Sequence, residues 1–219
     1  MKLKKITDWL EAALEVDRFD DVSNNGLQIA RRGEEVTKVA WAVDASVRSV
    51  KTAAKAGAEL LIVHHGISWG GGIKRLSGGV YNVVQAAIEA NLAVWACHLP
   101  LDANHKFGNN YTWARELGLK ALKPAFSYHG NVIGVIGKDK NGELVGVCSG
   151  GAGEFAEAAQ ALGCSRFLTG EANWAEVIAA QNIGMKMETY GHYETEVYGV
   201  REITRALVRR FPGLKEIKL

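Results

Sequence analysis

The chain has 219 residues, 47% apolar and 23% charged, with a net charge of +2 at neutral pH. That length carries one large or two small α/β domains on a core that needs no covalent staples. The near-neutral balance, without a long block of like charges, argues against nucleic acid or an anionic membrane as the defining partner.

At the N-terminus Ile6, Trp9, Leu10, Ala13 and Leu14 recur at helical spacing, with Asp8, Glu11 and Glu15 interleaved. This pattern predicts an amphipathic helix and not a signal peptide. Val39–Val43 reads as a buried strand. Ser46 is placed to cap the next helix, which runs to about Ala56, and Gly57 to end it. Leu60–Val63 is a second buried strand, far too short to span a bilayer, and His64-His65-Gly66 follows it. A glycine-rich loop, Gly66 to Gly79, holds Trp69 and Gly70-Gly71-Gly72. A helix over Val80–Ala90 leads to strand Leu92–Cys97, which ends in His98-Leu-Pro-Leu-Asp102. Strand–helix–strand alternation of this kind predicts right-handed crossovers and a largely parallel sheet.

The second half repeats the plan. Ile133–Gly137 and Val145–Val147 form a hairpin around Lys140-Asn141-Gly142. Helix Glu154–Leu162, strand Arg166–Leu168 ending in Thr169-Gly170-Glu171, helix Trp174–Gln181 and strand Met185–Glu188 follow, then Gly191-His192-Tyr193-Glu194-Thr195-Glu196. Superposing Gly57 on Gly163 sets His65 opposite Glu171. Superposing Asn91 on Asn182 sets Leu101-Asp102 opposite His192-Tyr193. The expected fold is therefore α/β, an internal duplication of a β-α-β-α-β module with mostly parallel sheets and helices packed on them. The modules are drawn at 1–125 and 126–219, with the functional site expected between them. The basic stretch Arg201–Lys218 reads as a solvated amphipathic helix in preference to a phosphate-backbone patch. Cys97, Cys148 and Cys164 are odd in number and make no CxxC pair, which fits a reducing, cytoplasmic setting and argues against a thiolate zinc site.

Open parallel sheets bind ligands beyond the carboxyl ends of their strands, where the titratable residues of both halves fall. Adjacent imidazoles at His64 and His65 can diverge to two metals, or to one metal and one substrate; the plainer role is a polar strand cap. Asp102 is an acid just past a strand, whose ordinary role is a turn or helix cap. His98 is best placed as a residue that orients a ligand from behind. His192 and Glu196 share one face of a helix start, although an HxxxE pattern alone is weak, and a solvated charged turn would look the same. Such nitrogen and oxygen donors, without thiolates, suit zinc, manganese, iron, cobalt or nickel. A carboxylate that bridges two ions is an arrangement used for hydrolysis. The residues thus point to a metal-assisted hydrolase or to a metal-binding regulator.

The order Ser23-Asn-Asn-Gly-Leu-Gln28, Val63-His-His-Gly66, His98-Leu-Pro-Leu-Asp102, Gly108-Asn-Asn110, Thr169-Gly-Glu171 and His192-(three residues)-Glu196 resembles the NGG-interacting-factor-three-like family. Its members often carry the label GTP cyclohydrolase 1 type 2 homologue. The resemblance covers nearly the whole chain. It implies a duplicated α/β fold, two divalent metal ions per chain and a ring-shaped homohexamer. By match, the ligands are His64, His65, Asp102, His192 and Glu196, with Asp102 or Glu196 as the bridge. Glu171 is the expected general base or substrate-orienting group, with a helix N-terminal acid as its plainer role. Tyr193 is the aromatic expected near the metals; the tryptophans, Trp113 and Trp174 among them, are expected in the core or at subunit interfaces. For a hydrolase, the expected substrate class is a small nucleotide-like or phosphorylated metabolite. Many relatives carry a histidine shortly after the Thr-Gly-acid motif, where this chain has Ala175 and no histidine, and no Walker-type phosphate loop is present.

Overall fold

The computed structural model describes residues 1–219 and divides into two compact units, Met1–Leu101 with Val200–Leu219, and Asp102–Gly199. Each holds a five-stranded sheet, and the fold is α/β throughout. No helix is long and apolar enough to cross a membrane.

The first unit opens with helix α1 (Leu3–Leu14), which buries Leu3, Ile6, Leu10 and Leu14 along one stripe. Strands β1 (Gly26–Ile29), β2 (Lys38–Asp44), β3 (Leu60–His65) and β4 (Ala93–Ala96) follow, with helices α2 (Val47–Lys55) and α3 (Gly78–Glu89) in the crossovers. The last strand of the chain, β10 (Lys215–Ile217), joins the same sheet, whose order is β1-β4-β3-β2-β10. All neighbours are parallel except β1, which runs antiparallel to β4. Leu60, Leu61, Ile62 and Val63 have no exposed surface, as expected of a central strand covered on both faces. Burial of each such side chain stabilises the fold by about 1.5–3 kcal/mol. Ser46 accepts a hydrogen bond from the Ser49 N–H, and the Ser49 hydroxyl closes a reciprocal capping box.

The second unit contains helix α5 (Asn109–Glu116), strands β5 (Lys120–Tyr128), β6 (Asn131–Lys138), β7 (Leu144–Gly151), β8 (Arg166–Glu171) and β9 (Lys186–Thr189), and helices α6 (Ala156–Ala161) and α7 (Trp174–Asn182). Its sheet order is β5-β6-β7-β8-β9. The first three strands form an antiparallel meander and the last three are parallel. At the β6–β7 turn Asp139 Oδ1 accepts from the Asn141 and Glu143 N–H groups at 2.8 and 3.1 Å, and Gly142 sits at φ +84°. Two further helices, α4 (Leu99–Ala103) and α8 (His192–Arg210), carry the chain from one unit to the other.

The duplicated module is β2-α2-β3-α3-β4 in one unit and β7-α6-β8-α7-β9 in the other. Helix α2 ends with Gly57 at φ +81° and α6 with Gly163 at φ +81°, through the same pair of backbone turns. His65 and Glu171 are accordingly the last residues of β3 and β8. The second superposition needs correcting. The counterpart of Asn91 (φ +51°) is Gly184 (φ +71°), because Asn91 N–H to Ile88 O and Leu92 N–H to Ala87 O recur as Gly184 to Gln181 and Met185 to Ala180. Asn182 still lies inside α7. The C-terminal stretch also differs from expectation. The helix stops at Arg210, because Pro212 cannot continue it and Gly213 turns at φ +111°; the chain then forms β10. Three strands had no clear periodicity: β1 and β10 are short edges, and β5 alternates weakly.

Candidate functional site

In the first unit three imidazoles converge. His64 and His65 close strand β3, with ring centroids 4.6 Å apart. His98 follows β4, 5.1 Å from His64 and 5.7 Å from His65. Each offers a ligand atom, and these atoms lie within 4.8 Å of one another.

A different acceptor holds each ring. His64 Nδ1 lies 2.9 Å from the Cys97 carbonyl oxygen, His65 Nδ1 lies 2.9 Å from Asp44 Oδ1, and His98 Nδ1 lies 3.0 Å from Asp21 Oδ1. A carbonyl or carboxylate oxygen can only accept, so each Nδ1 carries the proton and the lone pair falls on Nε2. Metal-binding histidines are held in this way, with the tautomer and ring angle fixed from behind. His98 therefore stands beside the His64-His65 pair as a third donor of the same kind, and not only behind it.

Asp21 organises the segment around His98. Its carboxylate takes hydrogen bonds from the Ser23 N–H, the Asn25 amide, the Leu99 N–H and His98. Burial alone would raise its pKa; the hydrogen bonds from His98, Asn25 and Ser23 outweigh that and lower it to about 2. Asn25 Oδ1 accepts from the His98 N–H at 2.9 Å. Gln28 Oε1 accepts from the Ile67 and Ser68 N–H groups, and a side chain at Gly66 would collide with that Gln28 amide. The Asn-Asn-Gly-Leu-Gln segment thus braces both histidine-bearing strand ends.

Trp69 completes this cluster. Its ring centroid is 5.1 Å from that of His98 and 6.1 Å from that of His65, and its Nε1–H donates to the Gly66 carbonyl at 2.9 Å.

The second unit supplies acids. Asp102 in α4 is 5% exposed and accepts from Asn109 Nδ2 at 2.8 Å and from Ser149 Oγ at 3.2 Å. Glu196 in α8 is 4% exposed. Asp102 and Glu196 offer ligand atoms within 4.8 Å of each other, as do Glu196 and His192. His192 Nε2 lies 3.2 Å from Glu196 Oε1, and its Nδ1 lies 3.0 Å from Glu171 Oε1. The Glu196 hydrogen bond raises the His192 pKa, burial opposes, and the Glu196 charge and Glu171 add to the rise, which reaches about 9. Glu171, the expected base, is 63% exposed along its side chain and shares His192 with Glu196.

Glycines let these groups approach. Gly150 sits at φ +67°, and a side chain there would strike Glu196 Oε1. A Cβ at Gly170 would lie 2.6 Å from the Gly150 carbonyl oxygen and from Thr195 Oγ1. Thr195 Oγ1 accepts from the Gly150 N–H at 3.1 Å, so the first turn of α8 is tied to the end of β7. The Thr-Gly-Glu motif is legible in these terms: only glycine fits at its centre. Cys148, buried nearby, has its thiol pushed well up by burial and by Asp102, Glu154 and Glu196, so it supplies no thiolate.

Sequence reasoning named His64, His65, His98, Asp102, Glu171, His192 and Glu196, and the structure brings them together as two sets, one in each unit. Tyr193 is 52% exposed. Among the tryptophans, Trp113 is buried in the second core, whereas Trp174 is 74% exposed. Three supporting residues escaped: Asp21, Asp44 and Trp69. Asp44 was findable, since it ends strand β2 in register with His65. Asp21 and Trp69 carry no spacing signal.

Comparison with known proteins gives the family and the fold. The family model described as Duf34/NIF3 (NGG1p interacting factor 3) matches residues 1–144 and 127–219. A Deinococcus radiodurans protein named GTP cyclohydrolase 1 type 2 homolog is 36% identical, over 94% of this chain and 89% of its own. One of the same name from Archaeoglobus fulgidus is 35% identical, over 100% of this chain and 98% of its own. The crystal structure of TTHA1606 from Thermus thermophilus superposes with a TM-score of 0.87 at 28% identity, covering 100% of this chain and 98% of that one.

Proposed function

From the premise that this chain belongs to the Duf34/NIF3 family, we propose that it is a metal-dependent hydrolase with a dinuclear centre. The ligands in this reading are His64, His65, Asp102, His192 and Glu196. The observation that carries it is the histidine cluster: imidazoles packed with ligand atoms within 4.8 Å, each Nδ1 held by an oxygen acceptor. Imidazole nitrogens from His64, His65 and, once it gives up its proton, His192, together with two buried carboxylates, form a donor set that suits zinc, manganese, iron, cobalt or nickel.

What a pair of divalent ions supplies, when bound, is Lewis-acid polarisation and an acidified water. The protein's own residues do the rest. Asp44 and the Cys97 carbonyl fix the imidazole tautomers. Asn109 and Ser149 hold Asp102. Glu171 holds the Nδ1 proton of His192 and serves as the group that accepts a proton from, or orients, the substrate. The substrate is a small nucleotide-like or phosphorylated metabolite, a reading supported by the relatives' name. A ring-shaped homohexamer with the metal site enclosed is supported by the family resemblance, and a cytoplasmic setting by three buried cysteines that form no disulfide.

Elemental analysis of protein purified without chelators or a metal-binding tag tests the centre. About two ions per wild-type chain are expected, with loss in both His64→Ala and Glu196→Ala. No metal after adding back zinc, manganese or iron would overturn it. Metal without turnover of any phosphoester or nucleotide would leave a metal-binding regulator in place of an enzyme.

A further inference from the structure

Trp69 is an aromatic side chain that the core does not use. Trp95 is fully buried and Trp113 is 2% exposed, yet Trp69 keeps 37% of its surface open beside the histidine cluster. It is also firmly held. Its backbone bridges to Ser23, the Gly70 N–H donates to the Val22 carbonyl at 2.6 Å, Asn24 Nδ2 donates to Ser68 Oγ at 2.8 Å, and the indole N–H is tied to Gly66. An exposed indole costs apolar surface in water, and pinning it costs side-chain freedom. The fold bears both costs at the edge of the three imidazoles.

Past Trp69 the loop opens. A Cβ added at Gly70, Gly72, Gly78 or Gly79 would meet nothing within 4 Å. Lys74 and Arg75 sit in this stretch, both exposed, and neither makes an ion pair. The loop therefore presents a part-exposed indole and two exposed cations outside any ion pair, within a few residues of each other in sequence. Planar rings stack on indoles whatever their hydrogen-bonding edge. Lysine and arginine are the residues that take phosphate oxygens.

We propose that Trp69 is a stacking platform for the heteroaromatic ring of a phosphorylated ligand, and that Lys74 and Arg75 take its phosphates. This deepens the hydrolase reading by naming the ligand class at the same site, and it rests on that reading for the chemistry but not for the binding.

Calorimetry on zinc-loaded protein would use GTP, ATP and inorganic tripolyphosphate as probes. In Trp69→Ala the affinity for both nucleotides should fall on the order of 10-fold, with tripolyphosphate unchanged; Trp69→Phe should recover most of the loss. The double variant Lys74→Ala/Arg75→Ala should weaken all three probes. Fluorine NMR on 5-fluorotryptophan-labelled protein provides a second reading that does not depend on Trp69→Ala folding. The resonance missing from Trp69→Phe should shift on adding either nucleotide and stay still with tripolyphosphate. The proposal is overturned if neither nucleotide binds saturably, if Trp69→Ala binds them as wild type does, or if tripolyphosphate affinity falls equally. Metal content measured on the same samples separates the two ideas. Protein that holds no metal yet shows the Trp69 shift would sink the metal centre and keep the platform.

Discussion

The two copies of the β-α-β-α-β module share a frame and differ in what stands on it. Both end their first helix on a glycine at φ +81°, and both place a titratable residue at the last position of the middle strand. In the first copy that residue is an imidazole held by a carboxylate, Asp44. In the second it is a carboxylate, Glu171, that holds an imidazole. One copy thus offers neutral donors backed by acids, and the other offers acids with a single, proton-holding histidine. After the strand the copies part again: the first runs into the open Trp69 loop, whereas the second enters α7 directly through the Asn173 cap. A shared backbone scaffold can carry opposite charge logic, because the strand end fixes position and leaves the donor type to one side chain.

The largest contrast should come from the glycines. Gly170→Ala drives a Cβ against the Gly150 backbone, which cannot swing away, and should cost about 3 kcal/mol in urea unfolding. Gly66→Ala meets only the end of the Gln28 side chain; displacing its two hydrogen bonds should cost about 1 kcal/mol. Equal costs would mean that the second copy's close approach yields as readily as the first's.

Next in size is Asp21, whose side chain is 2% exposed. Its carboxyl titrates at about 2 when folded, below the 3.8 of an unperturbed aspartate. Its contribution, about 2 kcal/mol, is fully present above the unfolded pKa and is lost as pH falls through the folded one. Asp21→Asn should lose that stability at pH 7 and flatten the acid limb of the unfolding profile. An unchanged acid limb would contradict the Asp21 collar.

The caps give a matched pair of smaller effects. Ser46→Ala and Asn173→Ala each remove half of a capping box and should each cost about 1 kcal/mol. A clear inequality in thermal unfolding would show that the copies' first and second helices are not interchangeable elements.

The subtlest test is the titration of His192 in metal-free protein. Its folded pKa is raised to about 9, so any stability it lends is present below the ordinary histidine value and lost as pH rises through 9. NMR should find the midpoint near 9 and find it falling in Glu196→Gln. Metal binding below that pH should release a proton into weak buffer, an outcome the first copy's neutral rings would not add to.

Much of this organisation was legible in the chain. Apolar runs bounded by glycine gave β2, β3 and β8, and Ser46 and Gly57 gave both ends of α2, because caps and buried strands leave local signals. His64, His65 and Glu171 were legible as strand-end residues, and His192 with Glu196 as one face of a helix start. Asp21 was not, since its role comes from chain segments far apart in sequence: it binds Leu99 and His98. Trp69 was not, because exposure is a tertiary property that a lone tryptophan does not announce. The β10 strand was hidden by the basic, helix-like composition of its surroundings; only Pro212-Gly213 marked the break.

That last strand has a consequence for how the protein is made. Lys215 pairs with Lys38 and Ile217 with Ala40, so one sheet is completed by residues far apart in sequence. The unit spanning Asp102–Gly199 is continuous and can gather its strands while still emerging from the ribosome. The other keeps the edge of β2 unpaired until Lys215–Ile217 have been made. During that interval the sheet has an open edge, a row of unpaired backbone groups that only β10 covers in the finished fold.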